Sequence, residues 1–552
     1  MAARCRRTAV WVLAIVTSLG LWAMPACTRA AVEQIDYAVD GVLSTYNSTT
    51  VAGAASASPQ AFSRTLVGFG YHGPDGQIVT DHDFGSVAVV SRAPLVLDYQ
   101  IADAAVYSDG KPITCDDLVL AWAAQSGRFP GFDAANRAGY LDIERIECEP
   151  GAKKARVSFF ADRNIVEYED LFTATSMMPS HVISDKLGLS TTDALLGRLG
   201  TVEDVVPRIA EAWNTIWKLD GQVDLRLFPS SGPYKIDSVL DGGAVVLVAN
   251  DAWWGAKPVT KRITVWPQAS DISDRVNKRA IEIVDVATGS AGSLITLDDY
   301  QSADSPSGGI QQLIFAPSGP LSETAARRAV ALCTPRDVIA RDASLPIVNS
   351  RLSTAIDDAF EQAENVPEAG QFIRADPDAA RNELAGKPLT VRIGYHGPNP
   401  RLAAVVGAIT ASCAPAGITV TEVTSADIGP QALREAQIDV LLASTGGATG
   451  SGSSGSSIVD SYELFSGNGN NLSGYRNDHI DGIISALAVT TDPAEMVRLL
   501  AESAPQLWAD MPTLPLYRQQ RTLLSSKKTY GVAANPTRWG VGWNMDRWEL
   551  QQ

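Results

Sequence analysis

The stretch Pro229-Ser-Ser-Gly-Pro-Tyr-Lys-Ile236 opens the part of the chain that decides the fold. It begins with a turn, because Gly232 adopts unusual backbone angles easily and Pro233 fixes φ. Beyond it, β-branched and aromatic residues flank Asp241-Gly-Gly243, a pattern typical of a β-hairpin. The stretch closes with Asn250-Asp-Ala-Trp-Trp-Gly-Ala-Lys-Pro258, and a further short strand is predicted over residues 262–266.

This stretch resembles a known family. The order Ser-Gly-Pro-Tyr-Lys-Ile, a glycine-containing hairpin and Asn-x-x-Trp-Trp-Gly-x-x-Pro is similar to the middle signature of the extracellular solute-binding proteins that serve peptide (oligopeptide, dipeptide, nickel) ABC importers. In that family the segment crosses back from a small subdomain into the first lobe. The resemblance therefore implies a two-lobed protein.

Further blocks follow in the family's order. Residues 106–122 resemble the family's Trp-Ser-Asp-Gly-x-Pro-x-Thr-Ala-x-Asp-Val signature, with Tyr107 in place of Trp, and Thr114 is predicted to begin a helix with Asp117 three positions on. The other blocks are the helix of residues 322–339, the helix–Gly-Ile–strand order of residues 401–443, and residues 475–517. The resemblance thus covers nearly the whole chain after its N-terminus.

One segment departs from the family. Members that take peptides usually have Trp-x-x-Asp-Tyr-Pro-Asp-Pro after the strand predicted at residues 438–443, and the Asp meets the peptide's α-amino group. Here Ser444-Thr-Gly-Gly-Ala-Thr-Gly-Ser-Gly-Ser-Ser-Gly-Ser-Ser457, the Gly/Ser segment, stands instead. It is either a flexible solvated linker or a cleft segment that binds ligand through backbone N–H groups and hydroxyls, and we favour the cleft. Asp460 is the nearest acid that could replace the missing amine anchor.

The N-terminus is predicted to be an export signal. Arg4, Arg6 and Arg7 precede an apolar run over residues 9–22 that is short for a membrane span. Met24-Pro-Ala-Cys27 resembles a lipobox, in which Cys27 receives a lipid after cleavage of residues 1–26. The alternative is an ordinary secretory signal cut near Ala26 or Ala30.

Four cysteines remain after Cys5 and Cys27, an even number that suits an oxidising compartment. Pairing Cys115 with Cys148 and Cys333 with Cys413 keeps each disulfide within one lobe of the family's architecture. No Cys-x-x-Cys occurs, so neither a zinc knuckle nor a redox motif is indicated.

Composition narrows the possible functions. The formal net charge is −17 over 552 residues, which argues against nucleic acids and anionic membrane surfaces as partners. No Gly-x-Ser-x-Gly, P-loop or His-Glu-x-x-His motif occurs in the sequence. We therefore expect that the protein is not an enzyme and that it binds no cofactor. His72, Asp81, His82 and Asp83 lack the spacing of a metal site and are predicted to be solvated turn residues.

The resulting hypothesis is an α/β, two-lobed periplasmic-binding-protein-like fold (type II, the large peptide-binding cluster) with an extra small subdomain on lobe one. Lobe one would comprise residues 32–70, 196–270 and 512–552, the small subdomain residues 71–195, and lobe two residues 271–511. The expected ligand site, placed by position in the family's cleft, consists of Tyr46, Asn47, Phe132, Ser444, Thr445, Gly446, Gly447 and Asp460.

The resemblance implies a lipid-anchored, exported receptor at the extracytoplasmic face of the cell membrane. We expect a monomer that binds a peptide or peptide-like solute and delivers it to the permease subunits of an ABC importer, touching the membrane only through its N-terminal lipid. The alternative is an envelope lipoprotein of the same fold with a structural or regulatory role and no transport.

Overall fold

The structure is a computed structural model, and it describes residues 34–199, 205–268, 271–292, 294, 297–353, 362 and 364–551. The predicted signal peptide and Cys27 lie outside these residues. Within the described ranges, no helix combines the length and the apolar character that a membrane crossing requires.

Strands and helices alternate along the chain. The strands are β1 (Gln34–Ala38), β2 (Gly70–His72), β3 (Ile78–Thr80), β4 (Gly85–Arg92), β5 (Leu95–Ile101), β6 (Ile143–Glu147), β7 (Lys154–Phe159), β8 (Tyr234–Val239), β9 (Val245–Ala249), β10 (Arg262–Trp266), β11 (Ile283–Ala287), β12 (Tyr300–Phe315), β13 (Leu389–His396), β14 (Ile418–Ser425), β15 (Val440–Ser444), β16 (Thr513–Ser526), β17 (Thr529–Tyr530) and β18 (Glu549–Leu550).

The α-helices are α1 (Val51–Ala55), α2 (Ser58–Phe62), α3 (Cys115–Gln125), α4 (Ser180–Leu187), α5 (Thr191–Leu195), α6 (Val205–Thr215), α7 (Ile272–Asn277), α8 (Thr324–Cys333), α9 (Arg336–Ala343), α10 (Pro377–Glu383), α11 (Pro400–Cys413), α12 (Pro430–Arg434), α13 (Ser457–Ser461), α14 (Asp478–Leu487) and α15 (Pro493–Asp510). A 3₁₀ helix, Gly540–Arg547, lies near the C-terminus.

One large sheet extends through both lobes. Its ten strands lie in the order β14-β13-β15-β12-β16-β11-β1-β10-β9-β8. The long strands β12 and β16 pair with each other in antiparallel register in the middle of this order. They are therefore the two segments that join the lobes, and the predicted α/β two-lobed fold is confirmed.

The hairpin that opened the sequence analysis forms as predicted. β8 and β9 are antiparallel and pair Tyr234 with Ala249, and the backbone N–H of Leu240 donates to the carbonyl of Ala244 at 2.7 Å to close the reversal. β9 then pairs with β10, which runs parallel to β1. The glycine at position 232 is required because a Cβ there would lie 2.4 Å from the carbonyl oxygen of Arg64.

The C-terminal tail packs against the N-terminal part of the described chain. The Oγ of Ser63 donates to the carbonyl of Gly542 at 2.7 Å, and the rings of Tyr37 and Trp548 meet edge to face at 5.1 Å. Val541, Met545 and Trp548 share a buried core with residues of β1 and α2. These contacts agree with the assignment of the tail to lobe one, while the domain boundaries stay a prediction.

The segment predicted as a small subdomain contains its own sheet, in the order β4-β5-β7-β6. Helix α3 packs beside it and begins at Thr114 as predicted, with Oδ2 of Asp117 accepting from the backbone N–H of Thr114 at 3.1 Å. A disulfide joins Cys115 to Cys148 across a Cα distance of 5.8 Å. The start of α3 is thereby tied to the end of β6.

In the second half of the sheet, β13, β14 and β15 run parallel, with α11 and α12 in the connections between them. This is the alternation expected of an α/β lobe. A second disulfide joins Cys333 at the end of α8 to Cys413 at the end of α11, with the Cα atoms 4.9 Å apart. Both disulfides are the pairs expected from the family's architecture.

Candidate functional site

The largest cavity described, about 710 Å³, lies beside the crossing strands β12 and β16. Its walls come from the β2–β3 turn, the segment before α4, a bulge in β12, the Gly/Ser segment and the residues just before the C-terminal 3₁₀ helix. Parts of the chain that are far apart in sequence therefore surround one space.

The bulge in β12 shapes one wall of the cavity. The pairing of β12 with β16 slips between Pro306 and Ile310, and the backbone N–H groups of Gly308 and Ile310 donate instead to the carbonyl of Pro536 and the Oγ1 of Thr445. A Cβ on Gly308 would lie 2.5 Å from the Oγ of Ser453. Ser307 is 1% exposed, lines the cavity, and its Oγ has no hydrogen-bond partner. The bulge thus contributes to the cavity wall a buried serine whose hydroxyl has no partner.

The Gly/Ser segment is bound to other parts of the protein along its length. The backbone N–H and Oγ of Ser451 donate to Oδ2 of Asp40 at 2.8 and 3.1 Å. The N–H of Thr449 donates to the carbonyl of Ala55, and the carbonyl of Ser453 accepts from the N–H of Arg538 at 2.8 Å. The segment is therefore a packed part of the cleft wall and not a solvated linker.

A buried ion pair fixes the base of this segment. Nη1 of Arg521, on β16, lies 2.9 Å from Oδ2 of Asp285, on β11, and both side chains are buried. Nη2 of the same guanidinium donates to the carbonyl of Ser451. Burial raises the pKa of the nearby Asp40 carboxyl, and the hydrogen bond from Ser451 opposes that shift. Because a buried charge without a partner is costly, this network holds the Gly/Ser segment against β16.

Glu167 connects the segment before α4 to the start of α13. Its Oε1 accepts from the Oγ of Ser457 at 2.7 Å, and its Oε2 accepts from the Oγ of Ser456 and the N–H of Ile458. Burial raises the pKa of Glu167, and the two serine hydroxyls oppose this. We call this set of bonds the Glu167 contact.

Asp460 lies on α13 and lines the cavity. Its role as an amine anchor stays a prediction. Its Oδ1 accepts from the N–H of Ser454 at 2.9 Å. Burial raises the pKa of the carboxyl to about 6, against the opposing hydrogen bond from Ser454.

The other predicted site residues lie behind the cavity wall. Tyr46 is fully buried and its hydroxyl meets the Oγ of Ser230, while Nδ2 of Asn47 donates to the carbonyl of Trp213. The ring of Phe132 packs edge to face against Trp213 at 5.5 Å. None of these three is among the described residues that line the cavity.

The predicted residues at the start of the Gly/Ser segment have structural partners as well. The Oγ of Ser444 donates to Oε1 of Gln519 at 2.8 Å, and Thr445 accepts from the backbone of Ile310. Gly446 and Gly447 adopt φ values of 71° and 73°, which favour glycine. These residues direct the chain from β15 into the cleft.

Several cavity residues were not predicted from the sequence. They are the turn residues 75–78, the acidic segment 167–170, the bulge residues 306–310, and Arg518. Pro306-Ser-Gly-Gly309 is the signal that could have indicated the bulge, since proline and glycine inside a strand mark such irregularities. His72 and Asp81 are buried, 1% and 7% exposed, so the prediction that they are solvated turn residues is wrong for these two, which contact Asp170 and Arg64.

The fold is two-lobed, and the largest cavity described lies beside β12 and β16. The chain belongs to the bacterial extracellular solute-binding proteins, family 5, whose middle-region family model matches residues 86–463. It is 65% identical over 559 residues to an uncharacterized lipoprotein of Mycobacterium tuberculosis (strain ATCC 25618 / H37Rv), covering 100% of both chains.

Two further comparisons concern peptide-binding proteins. The oligopeptide-binding protein OppA of Mycobacterium tuberculosis (strain ATCC 25618 / H37Rv) is 28% identical over 329 residues, which is 56% of this chain and 49% of OppA. The solved structure of the oligopeptide-binding protein AppA from Bacillus subtilis, in complex with a nonapeptide, superposes with a TM-score of 0.73 at 14% identity, covering 94% of this chain and 99% of AppA. The second comparison shows a shared fold.

Proposed function

We propose that the protein is the lipid-anchored substrate-binding component of an ABC importer, which captures a peptide or peptide-like solute between its lobes and delivers it to permease subunits. The observation that carries this proposal is the cavity of about 710 Å³ at the crossing strands β12 and β16. Its volume falls in the range typical of small-ligand sites, about 300–1,000 Å³. Membership of a solute-binding family supports the same role.

The walls of the cavity contain features that suit the binding of a peptide-like solute. The Oγ of Ser307 in the β12 bulge has no protein partner and is available to an extended chain, and the small residues of the Gly/Ser segment leave room beside it. The Glu167 contact spans the cleft and holds its two sides together. We expect the lobes to move apart about β12 and β16, a hinge motion, so that solute enters and leaves.

Among the predicted site residues, we propose that Asp460 contacts the solute and accepts a hydrogen bond from its amine. Tyr46, Asn47 and Phe132 do not line the cavity and contact Ser230 and Trp213 instead. Ser444, Thr445, Gly446 and Gly447 direct the Gly/Ser segment on the other side.

We further propose that Cys27 carries a lipid and that the protein is a monomer on the extracytoplasmic face of the membrane. The relatives' names as lipoproteins support the lipid anchor. A Cys27→Ser variant expressed in the native host should move from the membrane fraction to the soluble exported fraction.

The second candidate is an envelope lipoprotein of the same fold without transport. The observation in its favour is that the Gly/Ser segment, which replaces the family's acidic and aromatic pattern, is already engaged by Asp40 and Arg521. Mass spectrometry of material that co-purifies with the protein distinguishes the two. A recurrent set of short peptides supports the importer role, and a consistently empty protein supports the alternative.

A further inference from the structure

The walls of the cavity carry an excess of negative charge. The titratable side chains that line it include one guanidinium, that of Arg518, and five carboxylates: those of Asp75, Glu167, Glu169, Asp170 and Asp460. Glu167 is engaged by the two serines and Ile458 of the Glu167 contact. Four carboxylates therefore remain to act on the contents of the cavity.

Protein partners compensate these four carboxylates only in part. Oδ1 of Asp170 lies 3.0 Å from Nε2 of His72, and Oε1 of Glu169 accepts from the hydroxyl of Tyr168 at a long 3.4 Å. Asp75 and Glu169 are exposed, and neither takes part in an ion pair with another described residue. Asp460 accepts a hydrogen bond from the N–H of Ser454. The buried guanidinium of Arg538 also acts on Asp460 and, with it, on Asp170, so it offsets part of their negative charge.

A second observation indicates that the cavity is built to receive a polar ligand. Ser307 is 1% exposed and lines the cavity, yet its Oγ has no hydrogen-bond partner. A buried hydroxyl without a partner costs about 1–3 kcal/mol, so such groups normally await a ligand or a water molecule. A hydroxyl oxygen accepts hydrogen bonds from ammonium groups, as the four carboxylates do.

We propose that the cavity selects solutes of net positive charge, in particular short basic peptides, over neutral and acidic solutes of the same size. This inference rests on the proposed function, because it takes the cavity to be the solute site. Carboxylates in a cleft with low-dielectric walls concentrate cations and repel anions. Selectivity for basic solutes arises from the attraction of cations and from the repulsion of anions. An acidic solute would have to lose its water next to carboxylates of the same charge.

The first test compares three peptide pools that differ only in charge. Synthetic pools of about three to eight residues carry lysine, glutamine or glutamate at alternate positions among alanines, and each is titrated into the mature protein by calorimetry. At about 20 mM salt we expect the lysine pool to bind at least about tenfold more tightly than the glutamine pool, and at about 500 mM salt the gap should shrink. The glutamate pool should bind most weakly.

Each outcome of this titration is informative. Equal affinities for the lysine and glutamine pools, or tightest binding of the glutamate pool, would overturn the charge selectivity and leave the importer proposal standing. Absence of binding by all three pools would overturn the importer proposal, and the charge selectivity with it.

A variant tests the source of the selectivity without disturbing buried contacts. The double change Asp75→Asn and Glu169→Gln removes the two exposed carboxylates. The affinity for the lysine pool should fall about three- to tenfold at low salt, since each removed charge acts across a partly screened distance. The affinity for the glutamine pool should stay the same.

The matched control is Asp162→Asn, an exposed carboxylate near the same segment that does not line the cavity. It should leave the affinities for both pools unchanged, and thermal unfolding should show that all three proteins are equally folded. An unchanged affinity of the double variant for the lysine pool would contradict the proposal.

Discussion

Oε1 of Glu167 accepts a hydrogen bond of 2.7 Å from the Oγ of Ser457, although the two residues are 290 positions apart in the chain. The carboxylate belongs to the segment before α4 and the hydroxyl to the first residue of α13. Since α13 also carries Asp460, the contact fixes the helix that presents the proposed amine anchor.

Removal of the Glu167 carboxylate should loosen this side of the cleft. Glu167→Ala deletes the acceptor of three hydrogen bonds, and we expect a loss of about 1–3 kcal/mol in local stability. Hydrogen exchange measured by mass spectrometry should accelerate in peptides that span residues 453–461. Glu211→Gln, an exposed carboxylate on α6, is the control. Unchanged exchange in Glu167→Ala would show that other contacts hold α13.

Loss of the Asp460 charge should weaken the binding of amine-bearing solutes. Asp460→Asn is expected to cost about 1.5–3 kcal/mol, the worth of a hydrogen bond between charged groups. Because burial raises the pKa of this carboxyl to about 6, wild-type affinity should also fall as the pH drops below about 6, where the carboxyl becomes neutral. Calorimetry with a peptide pool at several pH values tests both statements. An affinity that does not change in the variant would place the amine elsewhere.

Glu463 should make the folded protein less stable at high pH. Burial raises its pKa from 4.5 to about 8, and its Oε2 accepts from Nε2 of Gln312 at 2.8 Å. The folded state therefore holds a proton that the unfolded state releases between these pH values, so this contribution is complete below pH 4.5 and disappears as the pH rises through about 8.

Glu463→Gln keeps a carbonyl acceptor for Gln312 and removes the titration. We expect the variant to be more stable than wild type by about 1–3 kcal/mol at a pH above 8, and nearly equal to it at low pH. Urea unfolding across this pH range measures the difference, with Glu435→Gln, an exposed carboxylate, as the control. Parallel pH curves for wild type and Glu463→Gln would contradict the assignment.

The two disulfides should each stabilise one part of the molecule. The Cys333–Cys413 bond closes a separation of 80 residues, and replacement of both cysteines by serine should cost about 3–5 kcal/mol on the loop-entropy estimate. Peptide mapping without reductant should recover Cys115–Cys148 and Cys333–Cys413. A crossed pair, such as Cys115 with Cys413, would contradict both the pairing and the lobe assignment.

The sequence predicted those elements whose signals are local. The hairpin at Asp241-Gly-Gly243 and the start of α3 at Thr114 depend on residues only a few positions apart, and both form as expected. Helix α15 begins after Asp492 with Pro493 in its first position, a local start signal of the same kind. The order of the blocks supplied the two-lobed architecture that local signals alone do not give.

The site was harder to predict because distant parts of the chain form it. Asp460 lines the cavity, whereas Tyr46 and Asn47 do not and are buried with their partners Ser230 and Trp213. Glu167 lacks any local feature that marks it, since Ser456 and Ser457 come to it only through the tertiary fold. The tertiary fold, and not the residue type, determines which carboxylates face the cavity.

The bulge in β12 has a mechanical consequence. A sheet resists bending along its strands through the regular ladder between β12 and β16, and this ladder is interrupted between Pro306 and Ile310. We therefore expect the sheet to bend easily at residues that also form the cavity wall. We expect a solute in contact with Ser307 to push directly on the place where the sheet bends. Binding of the solute would then change the angle between the lobes without any intermediate residue.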